Sequence, residues 1–402
     1  MKMDIRKIKK NELEKFKKMQ NYAFGKWKDK IEEKDDIFDW FKNAENIGVF
    51  KEDDLVSGLI IHDFEQIVRK DVKRMGGIGG VATYPEHRKK GYISKLMEKS
   101  FDRMKRNGQS VSMLLPFKES FYEKYNYVTT NNNMKLEVNL KSLKYYQDYS
   151  AKGKWEEIRK QSIDSREEYL HFIREVALNK YHGYVLVDRK SKEIWNLYSK
   201  NNLIVFIKRD DEIVATAKYT KKGFQDVFET GVMDINQIMW KDIDARNMLF
   251  KYFAKHLDQI EKIKMYIPYG INFYSWLKNN REIKVDIHQF PWMVRIIDVE
   301  DALNNIEINE QGSLIIRVED KFCDWNNKTF KLENENNSLK VEETDQKEDL
   351  IISIDGISAL LYGAYSLEEI EHLYNIKYKN LNKREFLKKW FPERMIFNTS
   401  FF

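Results

Sequence analysis

"VATYPEHRKKGYISKLMEKSF", residues 81–101, sets Arg88, Lys89 and Lys90 against a single glycine, Gly91, between a β-rich run and a helical one. From Gly91 onward Ile93, Leu96, Met97, Phe101 and Met104 keep helical spacing, and Asn107-Gly108 supplies a C-terminal stop. A helix N-terminus has unpaired N–H groups and a partial positive charge, so it attracts phosphate. Glycine removes the Cβ and lets an anion approach the backbone. Upstream, "NIGVFKEDDLVSGLIIHDFEQIVR" (46–69) has two apolar runs around a turn at 52–54, a hairpin signal, and a strand runs through Val81. Downstream, "SVSMLLPF" (110–117) is β-rich. The order hairpin, strand, basic turn, helix, strand is an α/β unit whose turn lies at a strand's C-terminal end, where such sheets bind ligands.

The same order returns. "NLIVFIKRDDEIVATAKYT" (202–220) is a second hairpin pattern, and "INQIMWKDIDARNMLFKYFAKHLDQI" (235–260) is strand, short turn and amphipathic helix. "SMLLPFKESFY" (112–122) then matches "KMYIPYGINFY" (264–274), with Pro116 and Pro268 at the same interval before Phe-Tyr. The copies differ where charge matters. Opposite the first copy's basic turn, the second has Asp242, Ile243, Asp244 and Ala245, acidic and without glycine. One turn suits an anion; the other repels it.

After Pro291 strand-like runs alternate with Asn and Gly turns, and "DLIISIDGISALLYGAYSLEEIEHLY" (349–374) reads as strand then helix. This predicts a third, α+β domain with an antiparallel sheet. The expected division is 1–145, 146–290 and 291–402. Of 402 residues 42% are apolar, enough for a large core. Seventy Lys and Arg stand interspersed with 64 Asp and Glu, a net +6 without a basic arm, which argues against nucleic acid as partner. A lone Cys323 excludes an intramolecular disulfide, and the histidines show no ligand spacing, so no metal is expected. No signal-like or membrane-spanning run occurs, so the expectation is a cytoplasmic protein without a membrane partner.

The pattern Val-x-Thr-x-Pro-x-His-Arg-x-x-Gly (81–91), a helix, a strand and then Phe121-Tyr122-x-x-x-x-Tyr127 resembles the GNAT acetyltransferases. With the degenerate second copy, the third domain similar to sterol carrier proteins and the aromatic ending "FNTSFF", the whole chain resembles the Eis (enhanced intracellular survival) type. The resemblance implies tandem GNAT folds followed by a sterol-carrier-protein-like domain. It implies acetyl-CoA as co-substrate, a small-molecule amine as acceptor (aminoglycosides among them in known members), and a homo-oligomer, a hexamer in relatives. It further implies that Arg88, Lys89, Lys90, Gly91, Tyr92 and Ile93 cradle the pyrophosphate, while the backbone of Val81, Ala82 and Thr83 holds the pantetheine arm and thioester. Ile93 stands where the family has Gly or Ala, and Asn126 where a glycine is common; Asn tolerates positive φ better than most residues.

Acetyl transfer to an amine needs a base for the nitrogen, donors for the oxyanion and a proton for the departing thiolate. Tyr122 matches the family's proton donor, and an ordinary tyrosine pKa of about 10 suits a thiolate of about 8.5. The base implied is the C-terminal carboxylate, here that of Phe402, with Phe401 bordering the acceptor pocket. The acceptor wall is expected in "AFGKWKDKIEEKDDIFDWF" (23–41), from Phe24 and Trp40 with Glu32, Glu33, Asp35 and Asp36. The alternative is a lipid- or ligand-binding protein acting through its third domain, which the basic turn disfavours.

Overall fold

The computed structural model describes residues 3–25, 44–130, 133–161, 166–186, 202–223, 230–277, 283–287 and 291–400. The first part of the chain forms β1 (Met3–Lys7), α1 (Leu13–Ala23), β2 (Glu45–Lys51), β3 (Asp54–Val68), β4 (Asp71–Thr83), α2 (Tyr92–Arg106), β5 (Val111–Leu114), α3 (Glu119–Tyr122) and β6 (Val128–Thr129). Helix α2 lays Leu96, Met97, Phe101 and Met104, all fully buried, against Ile47, Val49, Leu59 and Ile61 of the sheet. Burial of each such side chain is worth roughly 1.5–3 kcal/mol, which fixes the helix's rotation on the sheet.

Next come β7 (Met134–Asn139), β8 (Trp155–Gln161), α4 (Arg166–Lys180), β9 (Val185–Leu186), β10 (Leu203–Arg209), β11 (Glu212–Lys222), β12 (Gly231–Trp240), α5 (Ile243–Ala254), β13 (Ile260–Ile267), β14 (Lys284–Ile287) and β15 (Met293–Ile296). Asp210 and Asp211 join β10 to β11 with φ of 51° and 69°, the primed turn that suits a two-residue hairpin. Residues 202–274 thus repeat the first unit element by element.

The two sheets do not follow the expected cuts. The first runs β1-β2-β3-β4-β5-β15-β6, with β9 on β3, and the second runs β14-β7-β13-β12-β11-β10-β8. Position for position the orders correspond, except that each unit's last strand has crossed over. Strand β15, from beyond residue 290, pairs antiparallel with β5 and β6, while β7, from before residue 145, pairs with β13 and β14. The physical reason is that an apolar strand of either unit fills the same slot, and packing rather than sequence order decides which does.

The third domain holds α6 (Val299–Leu303), β16 (Ser313–Glu319), β17 (Thr329–Glu335), β18 (Ser338–Glu343), β19 (Leu350–Ser353), α7 (Ile354–Tyr362), α8 (Leu367–Leu373), β20 (Ile376–Tyr378) and α9 (Arg384–Trp390). Its sheet, expected to be antiparallel, is mixed: β18-β17-β16-β19-β20 with β16 and β19 parallel. The chain leaves β18 and returns to the starting end of β16, so β19 runs in the same direction as its neighbour. This domain shares one apolar core with the first sheet, in which Met75, Val111 and Met113 meet Leu314, Ile352 and Ile357. The β3–β4 hairpin tip plugs the joint: fully buried Arg69 donates to the carbonyls of Leu360, Leu361 and Pro392 at 2.7, 2.7 and 3.1 Å. The two leucine carbonyls lie in the last turn of α7, so the negative pole of a helix faces the guanidinium. Among the described residues no helix is long and apolar enough to cross a membrane.

Candidate functional site

Strand β4 outruns its neighbour. It pairs with β5 only from Met75 to Ile78, and then continues to Thr83 with no strand on that side. On its other side the polar groups are engaged: Ser57 Oγ lies 3.1 Å from the Ala82 carbonyl and 2.7 Å from Thr83 Oγ1, and Tyr84 N–H donates to Val56 O. The β3–β4 register slips between Gly58 and Ile60, with Gly80 at φ 54°. The Gln20 side-chain amide donates to the Gly80 carbonyl, which ties α1 to this bend. Along Val81, Ala82 and Thr83 the edge of β4 that faces the splay therefore has no strand partner among the described residues.

At the top of the splay the chain makes a 3₁₀ turn over Pro85–His87 and enters α2 through Gly91, left-handed at φ 73°. A Cβ on Gly91 would meet nothing within 4 Å. The glycine is thus required by its φ, and the space beside it is open to whatever approaches the helix. No side chain caps α2, so its first N–H groups face that space unclaimed. Arg88 Nε donates to Thr83 O at 3.3 Å and Lys90 Nζ to Glu86 O at 2.8 Å. Among the described residues neither they, nor Lys89, nor Lys124 meet a carboxylate. Four cations with no counter-ion among the described residues border one opening.

That opening is a cleft of about 1000 Å³. It brings together Val81, Ala82, Thr83, Arg88, Lys89, Lys90, Gly91, Tyr92, Ile93, Tyr122 and Phe24, which lie on four separate stretches of chain. Its described lining includes no Asp or Glu. The remaining expected residues, Trp40, Phe401 and Phe402, with Glu32, Glu33, Asp35 and Asp36, lie outside the described residues. The chain leading to the last two is held firmly. Asn398 is fully buried, accepts from Val185 N at 3.2 Å and, through its carbonyl, from Asn133 Nδ2 at 2.6 Å; Ser400 Oγ donates to Val185 O.

Tyr122 is 3% exposed, with its ring edge-on to Phe117, Phe121 and Tyr127. Burial, reinforced by Tyr127 and Tyr125, pushes its pKa well above the ordinary tyrosine value. It is a neutral phenol with a proton to give, and its hydroxyl makes no hydrogen bond among the described residues. Its counterpart Tyr274 is 54% exposed. The second copy also closes its own turn. Asp242 Oδ1 accepts from Ala245 N at 2.9 Å, capping α5, and Oδ2 takes Arg209 Nη2 at 2.8 Å. Trp240 and Trp276 meet edge-on, with the Arg246 guanidinium over Trp276. The space that stays open in the first copy is occupied in the second by its own side chains.

Several site residues escaped the sequence reading. Ser94 Oγ and Tyr125 Oη lie 3.0 Å apart across the cleft wall. Phe117, 66% exposed, and Lys124 stand on its rim. Ser94 occupies the third position of α2 after the glycine, a first-turn signal that was there to use; nothing local marks Lys124.

Residues 4–130 match the acetyltransferase (GNAT) domain family, and residues 299–397 the sterol carrier protein domain family. No curated protein matches the chain. Among solved structures, the GCN5-related N-acetyltransferase from Anabaena variabilis superposes with a TM-score of 0.83 at 17% identity over 100% of both chains. A conserved protein of unknown function from Enterococcus faecalis, a probable N-acyltransferase, gives 0.83 at 18% over 100% of both. Eis1 from Mycobacterium abscessus gives 0.78 at 15%, covering 99% of this chain and 100% of its own. At such identities these likenesses concern the fold. They agree with a GNAT fold at the N-terminus, a further sheet-rich unit and a sterol-carrier-like domain at the end.

Proposed function

We propose that this chain, which carries a GNAT acetyltransferase domain at residues 4–130, is an Eis-type N-acetyltransferase moving acetyl from acetyl-CoA to a primary amine of the aminoglycoside or polyamine kind. The observation that carries the reading is the open N-terminus of α2 at Gly91, bordered by cations that meet no carboxylate among the described residues and sharing one cleft with Tyr122. The fit to coenzyme A rests on that open turn and on the unpaired edge of β4. Bound there, acetyl-CoA supplies an activated thioester. The N–H groups of α2 and the side chains of Arg88, Lys89 and Lys90 hold the pyrophosphate, and the edge of Val81, Ala82 and Thr83 aligns the pantetheine arm by strand-like hydrogen bonds. As the C–N bond forms and the C–S bond breaks, the Tyr122 hydroxyl gives its proton to the sulfur. The proton lost by the acceptor nitrogen goes to the Phe402 carboxylate or to water it orders.

Consumption of acetyl-CoA, screened across aminoglycosides, polyamines and lysine peptides, tests the activity. Calorimetry is expected to find one CoA site per chain, because Asp242 already fills the second copy's turn. Arg88→Ala and Lys90→Ala break no ion pair among the described residues and are expected to leave folding intact, yet each removes a charge-assisted contact worth about 1.5–3 kcal/mol, a 10- to 150-fold loss of CoA affinity. Two equivalent CoA sites, or unchanged affinity in both variants, refutes the assignment.

A further inference from the structure

The turn that follows Tyr122 is gripped from outside its own unit. Asn126 takes the left-handed conformation at φ 59°, and its Nδ2 donates to Asp355 Oδ2 at 2.9 Å. A carboxylate only accepts, so the amide's nitrogen is the end facing Asp355. Asp355 lies in the first turn of α7 in the third domain, where its other oxygen accepts from Ser353 Oγ and from Gly356 N. One residue earlier, the Tyr125 carbonyl accepts from Arg295 Nη1 at 2.9 Å. Arg295 belongs to the exchanged strand β15, is fully buried, and places Nη2 2.7 and 2.9 Å from the two oxygens of Asp320. Asp320 follows β16 and also accepts from Asn326 Nδ2 and Phe322 N. The turn passes this hold to Tyr122 directly, because Tyr127 N–H donates to the Tyr122 carbonyl and the Tyr127 hydroxyl is fixed on Ser112, 2.7 Å away.

We propose that the third domain and the exchanged strand work as a brace for the proton donor: Asp355, through Asn126, and the Arg295–Asp320 pair, through the Tyr125 carbonyl, are positioning residues that hold the Tyr122 hydroxyl in register with the cleft. This rests on the function proposed above. A buried tyrosine whose hydroxyl makes no hydrogen bond among the described residues is placed there by packing and by its backbone, so anything that lets residues 122–127 shift moves the hydroxyl. A shift near 1 Å costs about a hundredfold in rate. The phosphate-binding turn at 88–91 lies on a different stretch; the braced turn reaches its helix through the Ser94–Tyr125 hydroxyl contact, not through the backbone of 88–91.

The test uses two variants in the full-length protein. Asn126→Gly keeps the left-handed backbone and leaves α7 untouched; Asp355→Ala keeps Asn126. What they share is the bond between the domains. Each is expected to lower kcat about 10- to 100-fold, with CoA affinity and acceptor KM within about twofold of wild type, and the double variant is expected to be no worse than the weaker single one. Wild-type turnover in both singles, CoA affinity falling in step with kcat, or losses that multiply in the double variant would overturn the brace while leaving the proposed function standing. If the wild type consumes acetyl-CoA with no amine, the functional reading fails instead. The brace is then decided by amide hydrogen exchange at residues 125–127, which it requires to quicken in Asp355→Ala and which, if unchanged, overturns it.

Discussion

Replacing Tyr122 by Phe removes one oxygen and, by the geometry above, little else. The ring keeps its edge-on contacts with Phe117, Phe121 and Tyr127. The hydroxyl makes no hydrogen bond among the described residues, so no buried partner is orphaned, and stability is expected to stay within about 0.5 kcal/mol of wild type. Loss of a general acid costs about 10²–10⁴-fold in kcat, or roughly 2.7–5.5 kcal/mol of barrier. The two quantities separate cleanly: thermal unfolding barely moves while turnover collapses, and CoA affinity by calorimetry is unchanged. Tyr274→Phe is the control, since the same residue in the repeated sequence is 54% exposed, and it is expected to change nothing. The pH profile adds a second check. Burial holds Tyr122 above the ordinary tyrosine value, so it stays protonated through neutral and mildly alkaline assays. An alkaline limb in kcat below about pH 10 must then belong to another group and persist in Tyr122→Phe. Turnover within about threefold of wild type, or an alkaline limb that vanishes with the hydroxyl, refutes the acid role.

A peptide tag added after Phe402 turns its carboxylate into an amide, while the bonds of Asn398 and Ser400 keep the preceding chain in place. Acetylation is expected to fall by orders of magnitude relative to an N-terminally tagged enzyme, with CoA binding kept, and equal rates would reject the carboxylate as base. Alkali is expected to unfold the protein steeply. Burial raises Tyr127, Tyr184 and Tyr362 above the usual value, so above about pH 10 the unfolded chain releases protons that the folded one keeps. Stability then falls by about 1.4 kcal/mol per pH unit for each, and is unaffected by them below that pH. Urea midpoints that stay flat between about pH 9.5 and 11 would contradict this.

What the sequence made legible was what depends on neighbours along the chain. The basic turn, the helix from Gly91 to Asn107, the repeated hairpins and the left-handed Asn126 each follow from spacing or from the φ a residue tolerates. Pairing across the sheet was not legible. "MKLEVN" of β7 falls within the expected first unit and "MVRI" of β15 beyond residue 290, yet β7 lies in the second sheet and β15 in the first. The identical Phe-Tyr pairs were equally mute: that Tyr122 is buried on a cleft and Tyr274 exposed depends on residues such as Trp276, which fills the second copy from within. Ser94 and Tyr125 meet only because α2 and the turn after α3 converge.

The crossed strands constrain how such a chain can change over time. In the second copy Asp242 caps α5 and pairs with Arg209, and a duplicate that has given up its binding turn is ordinarily shed. Here shedding is blocked. A deletion that ran from the second copy through Ile296 would take β15 with it and leave β5 and β6 of the first sheet with an empty lane between them. Shortening from the other side would strand β13 and β14 in the same way. The two halves are mutual hostages, so mutation is free to erase the second copy's function but not its presence. Split between β7 and β8 into two genes, the halves should recover function only when made together, each completing the other's sheet.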